Sequence, residues 1–179
     1  CTGVQPARVV VLGAGMVGWN AARIAAAMDA DVLLLDRSPQ KLRSLEADRR
    51  GRLTSVVSSH GLLERLIPTA DLVIGAVLTP GGRAPTLVDD AMVQQMRPGS
   101  VIVDVAIDQG GCIATSQETT HTDPTVTIHG IQHYAVGNMP GAVPFTSTEA
   151  LVSVTLPYIV SIGGRGLEEA VTERPELLS

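Results

Sequence analysis

Residues 8–36 read Arg8-Val9-Val10-Val11-Leu12, then Gly13-Ala14-Gly15-Met16-Val17-Gly18, then Trp19-Asn20-Ala21-Ala22-Arg23-Ile24-Ala25-Ala26-Ala27-Met28, and after Asp29 and Ala30 the run Asp31-Val32-Leu33-Leu34-Leu35-Asp36. The first five residues form a β-branched apolar strand. The glycine stretch follows as a turn, the Ala-rich run favours a helix, and a second apolar strand ends on an acid. A GxGxxG pattern alone is weak evidence, but here a strand precedes it, a helix follows it, and Asp36 lies 18 residues after Gly18. In a dinucleotide-binding turn of this kind Gly13 permits the tight turn, Gly15 lets a pyrophosphate approach the backbone, and Gly18 lets the helix pack close to the sheet. The helix start offers unpaired N–H groups to the phosphate, and a carboxylate at Asp36 can accept hydrogen bonds from the adenosine ribose hydroxyls. Two other readings stand beside it: a glycine turn that only shapes a sheet, and an S-adenosylmethionine site, which also places an acid after the second strand.

The pattern continues outward. Ser38-Pro39 reads as an N-cap with proline at the first helical position, and that helix is expected to run to about Arg50. Strands are expected at 53–57, 71–77 and 100–105, with helices at 61–67 and 88–96 between them. Strands alternating with helices predict βαβ units and a parallel sheet. The expected architecture is a Rossmann-type doubly wound parallel sheet in three layers (α/β/α), as a single domain. The second half is less legible. A β-like stretch falls at 125–129 and a proline–glycine loop at 138–144. A long buried helix is expected over 147–162, stopped by Gly163-Gly164, and a charged tail over 168–179.

The 179 residues bound a single domain with a core of about 6–166 and a tail of 167–179. Hydrophobic residues make up 45% and charged residues 17%, enough apolar surface for a core. Aromatics are only 2% (Trp19, Tyr134, Phe145 and Tyr158), so the core is aliphatic, as suits a sheet buried on both faces. The net charge of −5 gives no general affinity for nucleic acid or anionic membrane. No contiguous apolar run approaches the ~20 residues of a membrane span. Cys1 and Cys112 have no metal spacing, and a reduced cytoplasm is the simple expectation. A start at Cys1 rather than Met suggests a piece of a longer chain, or a processed product.

Asp36 favours NAD over NADP, because a carboxylate repels a 2′-phosphate. Six of the 13 basic residues fall in 37–52: Arg37, Lys41, Arg43, Arg49, Arg50 and Arg52. The plain reading is a solvated helix face; the sharper one is that Arg37 or Lys41 flanks the adenine end.

Three further stretches resemble the alanine dehydrogenase family. They are Asp71–Leu78 with Pro80-Gly81 and Ala84-Pro85; Arg97–Cys112, containing Asp108-Gln109-Gly110-Gly111; and His133–Val136 with Asn138-Met139-Pro140-Gly141-Ala142-Val143-Pro144 and Thr146-Ser147-Thr148. They run in family order over about 4–166. The transhydrogenase nucleotide domain shares the fold but reads differently after the fifth strand.

The resemblance implies the NAD(H)-binding domain of an enzyme that interconverts L-alanine with pyruvate and ammonia. It implies that Gly13, Gly15, Met16, Val17 and Gly18 hold the pyrophosphate turn, that Asp36 takes the ribose, and that Lys41 and Ser58 lie near the adenosine. Val77 and Leu78 would pack along the cofactor. Val105, Asp108, Val136, Asn138 and Met139 would surround the nicotinamide, with Asp108 catalytic. A homo-oligomer is also implied. For Asp108 the plain alternative is a capping turn residue, and Asp104, inside the strand, is expected to be structural.

The family's substrate-domain histidine, lysine and arginine have no counterpart in this sequence, so the chain is expected to bind NAD and not to turn over alanine usefully. His129 and His133 are spaced i, i+4 in a stretch that is not helical, and no metal site is expected. Cys112 reads as a small packing residue, Trp19 as core or interface. The competing function is a non-catalytic NAD-sensing or regulatory module; a transhydrogenase nucleotide domain is the other alternative.

Overall fold

The computed structural model describes residues 3–45 and 51–178. Seven strands form one sheet: β1 (Arg8–Leu12), β2 (Asp31–Asp36), β3 (Leu53–Val57), β4 (Leu72–Gly75), β5 (Val101–Asp104), β6 (Thr125–Ile128) and β7 (Ile131–Tyr134). Their order is β3-β2-β1-β4-β5-β7-β6, with every pair parallel except β6–β7. The helices are α1 (Met16–Ala27), α2 (Pro39–Leu45), α3 (His60–Leu66), α4 (Asp90–Gln94), α5 (Pro144–Arg165) and α6 (Leu167–Glu173).

The alternation along β1 explains the layers. Val9 and Val11 join a core with Trp19, Ala22, Ala26, Val32 and Leu34 on the α1 side. Val10 and Leu12 join Leu63, Ile67, Val73, Met92, Val93 and Ile102 on the other. A strand buried on both faces needs apolar residues at every position, which is why this run does not alternate with polar ones. On α1 the buried residues are Gly18, Trp19, Ala22 and Ala26, a mostly small stripe one turn apart that seats the helix close to the sheet. Trp19 is therefore core, with the Arg23 guanidinium 5.9 Å above its ring.

Contacts divide the chain into two compact units, Cys1–Gly137 and Asn138–Ser179. The sheet and α1–α4 belong to the first unit, and α5 and α6 to the second. Several expected elements also shift. The helix after Ser38 is described only as far as Leu45, and its expected continuation to Arg50 lies outside the described residues. The fourth strand is shorter than 71–77, which releases Ala76 and Val77 from the sheet. The fifth covers less than 100–105, and Val105–Gln109 form a 3-10 turn. Helix α3 passes directly into a 3-10 turn, Ile67–Thr69. Helix α4 is shorter than 88–96, because the Asp89 side chain caps it by accepting from the Met92 N–H at 2.8 Å, and Val88 instead bridges to Ile113.

Strand β7 was not expected. His129 and Gly130 have φ of 54° and 76°, and Ile128 pairs with Ile131. They form a two-residue hairpin with both central residues left-handed, the twist-matched connection of an antiparallel pair. Within β7, His133 is fully buried beside Ile102. Its Nδ1–H donates to the Ile131 carbonyl at 3.0 Å, and its Nε2 accepts from the Thr115 hydroxyl at 2.8 Å. Burial pushes this imidazole below its ordinary value, so it is neutral in the fold. Above pH ~6.5 both folded and unfolded forms are neutral. As pH falls below that, the unfolded chain takes up the proton first, and stability falls by at most about 1.4 kcal/mol per pH unit. Urea unfolding at pH 7.5 and 5.5 should show this acid loss in the parent and a smaller one in His133→Gln.

In the second unit the expected long buried helix is corrected. α5 begins at Pro144 rather than Ser147, runs through Gly163-Gly164 and Pro157 to Arg165, and none of its described residues is buried. Its chain reverses at Gly166, φ 82°. By length and composition this 22-residue helix, with mean hydropathy 1.3 over its apolar window, is long and apolar enough to cross a membrane. It is not a contiguous apolar run, because Ser, Thr and Gly interrupt the apolar positions. The expected charged tail contains α6 and a 3-10 turn, Pro175–Leu178.

Candidate nucleotide site

β1 lies between β2 and β4, and the chain visits the β2–β3 side before returning to β4. Loops leaving the carboxyl ends of β1 and β4 therefore diverge, and ligands bind in such crevices. Here the crevice is a cleft of about 460 Å³ within the first unit.

The glycine turn forms one wall. Gly13 has φ 101°, its N–H donates to the Leu35 carbonyl at 2.7 Å, and a Cβ on it would sit 2.5 Å from the Ala76 oxygen. A Cβ on Gly18 would sit 1.8 Å from the Gly13 oxygen. These two glycines are demanded by the fold. Gly15 is different: φ is −80°, open to any residue, and a Cβ there meets nothing within 4 Å. It is the N-cap of α1 and makes no side-chain cap.

Asp36, at the end of β2, accepts the Ala14 N–H at Oδ2 (2.9 Å) and the Ser38 N–H at Oδ1 (2.8 Å). The acid thus ties the glycine turn to the start of α2. Ser58 is held beside it, its N–H donating to the Asp36 carbonyl at 2.9 Å.

Of the residues singled out in the sequence, Gly13, Gly15, Met16, Val17, Asp36, Lys41, Ser58, Val77 and Leu78 all line this cleft. Gly18 lies behind the turn. Val105, Asp108 and Val136 are not in the lining. Val136 is fully buried, and Asp108 is exposed on the 3-10 turn after β5. Asn138 and Met139 belong to the second unit, where Asn138 has φ 53° and precedes a 3-10 turn, Met139–Ala142.

Sequence reasoning did not assign the opposite wall, formed by Ala76, Pro80, Pro85 and Leu87. Its anchor is Gln109: the side chain accepts the Thr79 N–H at 3.1 Å and its carbonyl accepts the Ala84 N–H at 2.9 Å. The Asp-Gln-Gly-Gly element carries this signal, but only as a motif; nothing in its spacing reveals that Gln109 holds the 79–84 loop.

The turn itself is fixed from beneath by Asp104. Fully buried, Asp104 accepts the N–H groups of Cys112 (3.0 Å) and Ile113 (3.2 Å). This agrees with the structural role expected for it. Cys112 is a free, buried thiol, pushed far up by burial first and by the Asp104 charge second, so it is inert packing. His129 pairs with Asp90 at 2.8 Å and holds that carboxyl below its usual range, and His60 sits 3.4 Å from Glu64.

A doubly wound parallel sheet with a glycine turn entering a helix and an acid ending β2 defines a nucleotide-binding α/β domain of Rossmann type. The chain belongs to the alanine dehydrogenase/PNT C-terminal domain family, whose model matches residues 1–179. It is 50% identical over 171 residues to an alanine dehydrogenase of Halomonas elongata, covering 96% of this chain and 46% of that protein. With an alanine dehydrogenase of Mycobacterium tuberculosis it shares 50% identity over 175 residues, 98% of this chain and 47% of that one. A solved L-alanine dehydrogenase superposes with TM-score 0.87 at 48% identity, covering 97% of this chain and 48% of that chain. A transhydrogenase from Sinorhizobium meliloti, at TM-score 0.79 and 24% identity over 92% of this chain and 48% of that one, shares the fold. The chain spans about half the length of the curated relatives it matches.

Proposed function

We propose that this chain is the NAD(H)-binding domain of an L-alanine dehydrogenase, which oxidatively deaminates L-alanine to pyruvate and ammonia. The observation that carries the cofactor reading is Gly15. Glycine at a helix N-cap is weaker than Ser or Asn, and neither its backbone nor its surroundings require it. Its open side faces the cleft that Asp36 also lines. A pyrophosphate drawn to the start of the 12-residue α1 explains why the position is left bare.

The residues present fit the group. Gly13, Gly15, Met16 and Val17 would border the pyrophosphate, Asp36 the ribose diol, and Lys41 and Ser58 the adenosine. Val77 and Leu78 would exclude water along the length of the cofactor. Bound nicotinamide supplies the hydride acceptor. Asp108, exposed where the chain leaves β5, is the residue we assign to the reaction. Its carboxylate would hold the substrate amino group, which gives up one proton to solvent before the hydride leaves, then steady the resulting cationic imine and orient the attacking water. Val105, Val136, Asn138 and Met139 are assigned to the nicotinamide end on family likeness alone. The relatives' remaining half would supply the substrate-binding groups, so the chain alone should bind cofactor and not turn over alanine at enzyme rates. We extend the reading to a cytoplasmic homo-oligomer.

Titration of the chain with NADH tests this. Asp36→Ala should weaken binding at least about tenfold, the scale of the hydrogen bonds to a charged group it removes. Asp108→Ala should change binding less than about twofold, with its cost appearing as lost turnover in an intact enzyme. Absence of NADH binding by the parent chain would refute the reading.

A further inference from the structure

We infer that Gln109 is a positioning residue: it ties the 79–84 loop, part of the cleft wall, to the turn that carries Asp108, so that a nucleotide seated in the cleft also steadies that carboxylate. The inference rests on the cofactor reading and adds to it a physical link between binding and reaction.

Asp108 does not line the cleft, so a bound nucleotide needs a route to it. It is exposed on the 3-10 turn Val105–Gln109. That turn is closed by the Gly110 N–H donating to the Ile107 carbonyl at 2.8 Å and the Gly111 N–H to the Ala106 carbonyl at 3.0 Å. Hydrogen bonds in 3-10 turns are poorly aligned, so such a turn gains from bracing by a neighbour.

The loop between β4 and α4 supplies the brace. It has two limbs, and both line the cleft: Val77, Leu78 and Pro80 on the first, Pro85 and Leu87 on the second. The second limb is joined by backbone to the chain after the turn, where the Leu87 N–H donates to the Cys112 carbonyl and the Ala114 N–H to the Val88 carbonyl, each at 2.8 Å. Gln109 holds both limbs at the turn itself. Its carbonyl accepts the Ala84 N–H at 2.9 Å, and its side-chain oxygen accepts the Thr79 N–H at 3.1 Å. The Gly82 N–H donates to the Thr79 carbonyl at 3.2 Å, which carries the hold to the loop tip. Arg83 then lies across Gly110, where a Cβ would meet its Nε at 2.6 Å. The Thr79 donor is partly buried, so parting the first limb from Gln109 leaves an N–H without its acceptor, and the two gain by staying together. A nucleotide that packs on Val77 and Leu78 restrains the first limb, and through Thr79 it restrains Gln109, the neighbour of Asp108 in the chain.

The test is amide hydrogen exchange of the full chain, read residue by residue by NMR, with and without ADP-ribose. This probe lacks the nicotinamide ring, so it does not reach Asp108 directly. A ligand at about ten times its Kd slows about tenfold any opening that breaks its site and leaves independent openings unchanged. In the parent, Gly110 and Gly111 should therefore slow about tenfold, although neither lines the cleft. Gly99, whose N–H donates to the Gly130 carbonyl at the amino end of β5, is the reference for global stabilisation. Q109M keeps the side-chain length and removes the acceptor. At the same saturation its Gly110 and Gly111 should slow less than about threefold relative to Gly99, the second limb still holding through backbone. Q109E keeps an acceptor and should restore the parent response. Q109N, an amide one carbon too short, should behave as Q109M and replaces it if Q109M does not fold. Equal slowing in parent and Q109M, or no slowing beyond Gly99 in a parent that binds ADP-ribose, overturns the inference and leaves the cofactor reading standing. A parent that does not bind ADP-ribose overturns both.

Discussion

Replacing Gly13 with alanine is expected to destabilise the chain by about 3 kcal/mol or more and lower its melting temperature by roughly 10 °C. Two costs combine. The φ of 101° lies in the region where an L side chain is strained, at about 1–3 kcal/mol. The added methyl would also lie 2.5 Å from the Ala76 carbonyl oxygen and 2.9 Å from its carbon. Those atoms are backbone, held where the Ala76 N–H donates to the Leu12 carbonyl at 2.8 Å, so they cannot swing aside as a side chain would. Relief requires β1 and β4 to part at the carboxyl end of the sheet, and overpacking of this kind costs about 1–3 kcal/mol. The measurement is urea and thermal unfolding, with NADH binding lost in parallel because the turn deforms. Unchanged stability would mean that the β1–β4 crevice is softer than its contacts indicate.

Gly15→Ser should spare stability and still weaken cofactor binding. The φ of −80° suits serine, no atom lies within 4 Å of the new Cβ, and serine is the better N-cap. Stability should stay level or rise by a few tenths of a kcal/mol. NADH affinity should fall about tenfold to a hundredfold, because the side chain occupies the line along which a pyrophosphate reaches the head of α1. The two glycines therefore separate fold from site: Gly13 loses both, Gly15 loses one. If Gly15→Ser binds NADH as the parent does, the pyrophosphate does not lie at this turn.

The first hundred residues were legible because their signals are local. Apolar runs of strand length, the glycine spacing and the acid at the end of β2 are each readable within a few neighbours, and the alternation of elements then implies the parallel sheet. The second half resisted because its signals are distant or easily overlooked. β7 is specified by pairing Val103 with Tyr134 across 31 residues, and by a His129-Gly130 turn whose histidine is a weaker turn signal than Asn or Asp before glycine. α5 reads as buried from its composition, yet none of its described residues is buried. Apolar content shows that a helix has a partner to seek, not whether this chain contains it.

For the site, the sequence by itself determined the residue types and their order: bare glycines at the end of β1, an acid at the end of β2, and the Asp-Gln-Gly-Gly element after β5. Backbone sterics and chain order are enough for that. Only the tertiary structure decided how these residues divide their work. It showed that Gly13 and Gly18 are required by neighbouring backbone while Gly15 is not. It turned Asp36 onto Ala14 and Ser38, brought Arg37 and Lys41 into the cleft, and made Gln109 the anchor of the opposite wall. Each of these depends on atoms that meet only when separate strands come to lie side by side, and sequence spacing does not encode those distances.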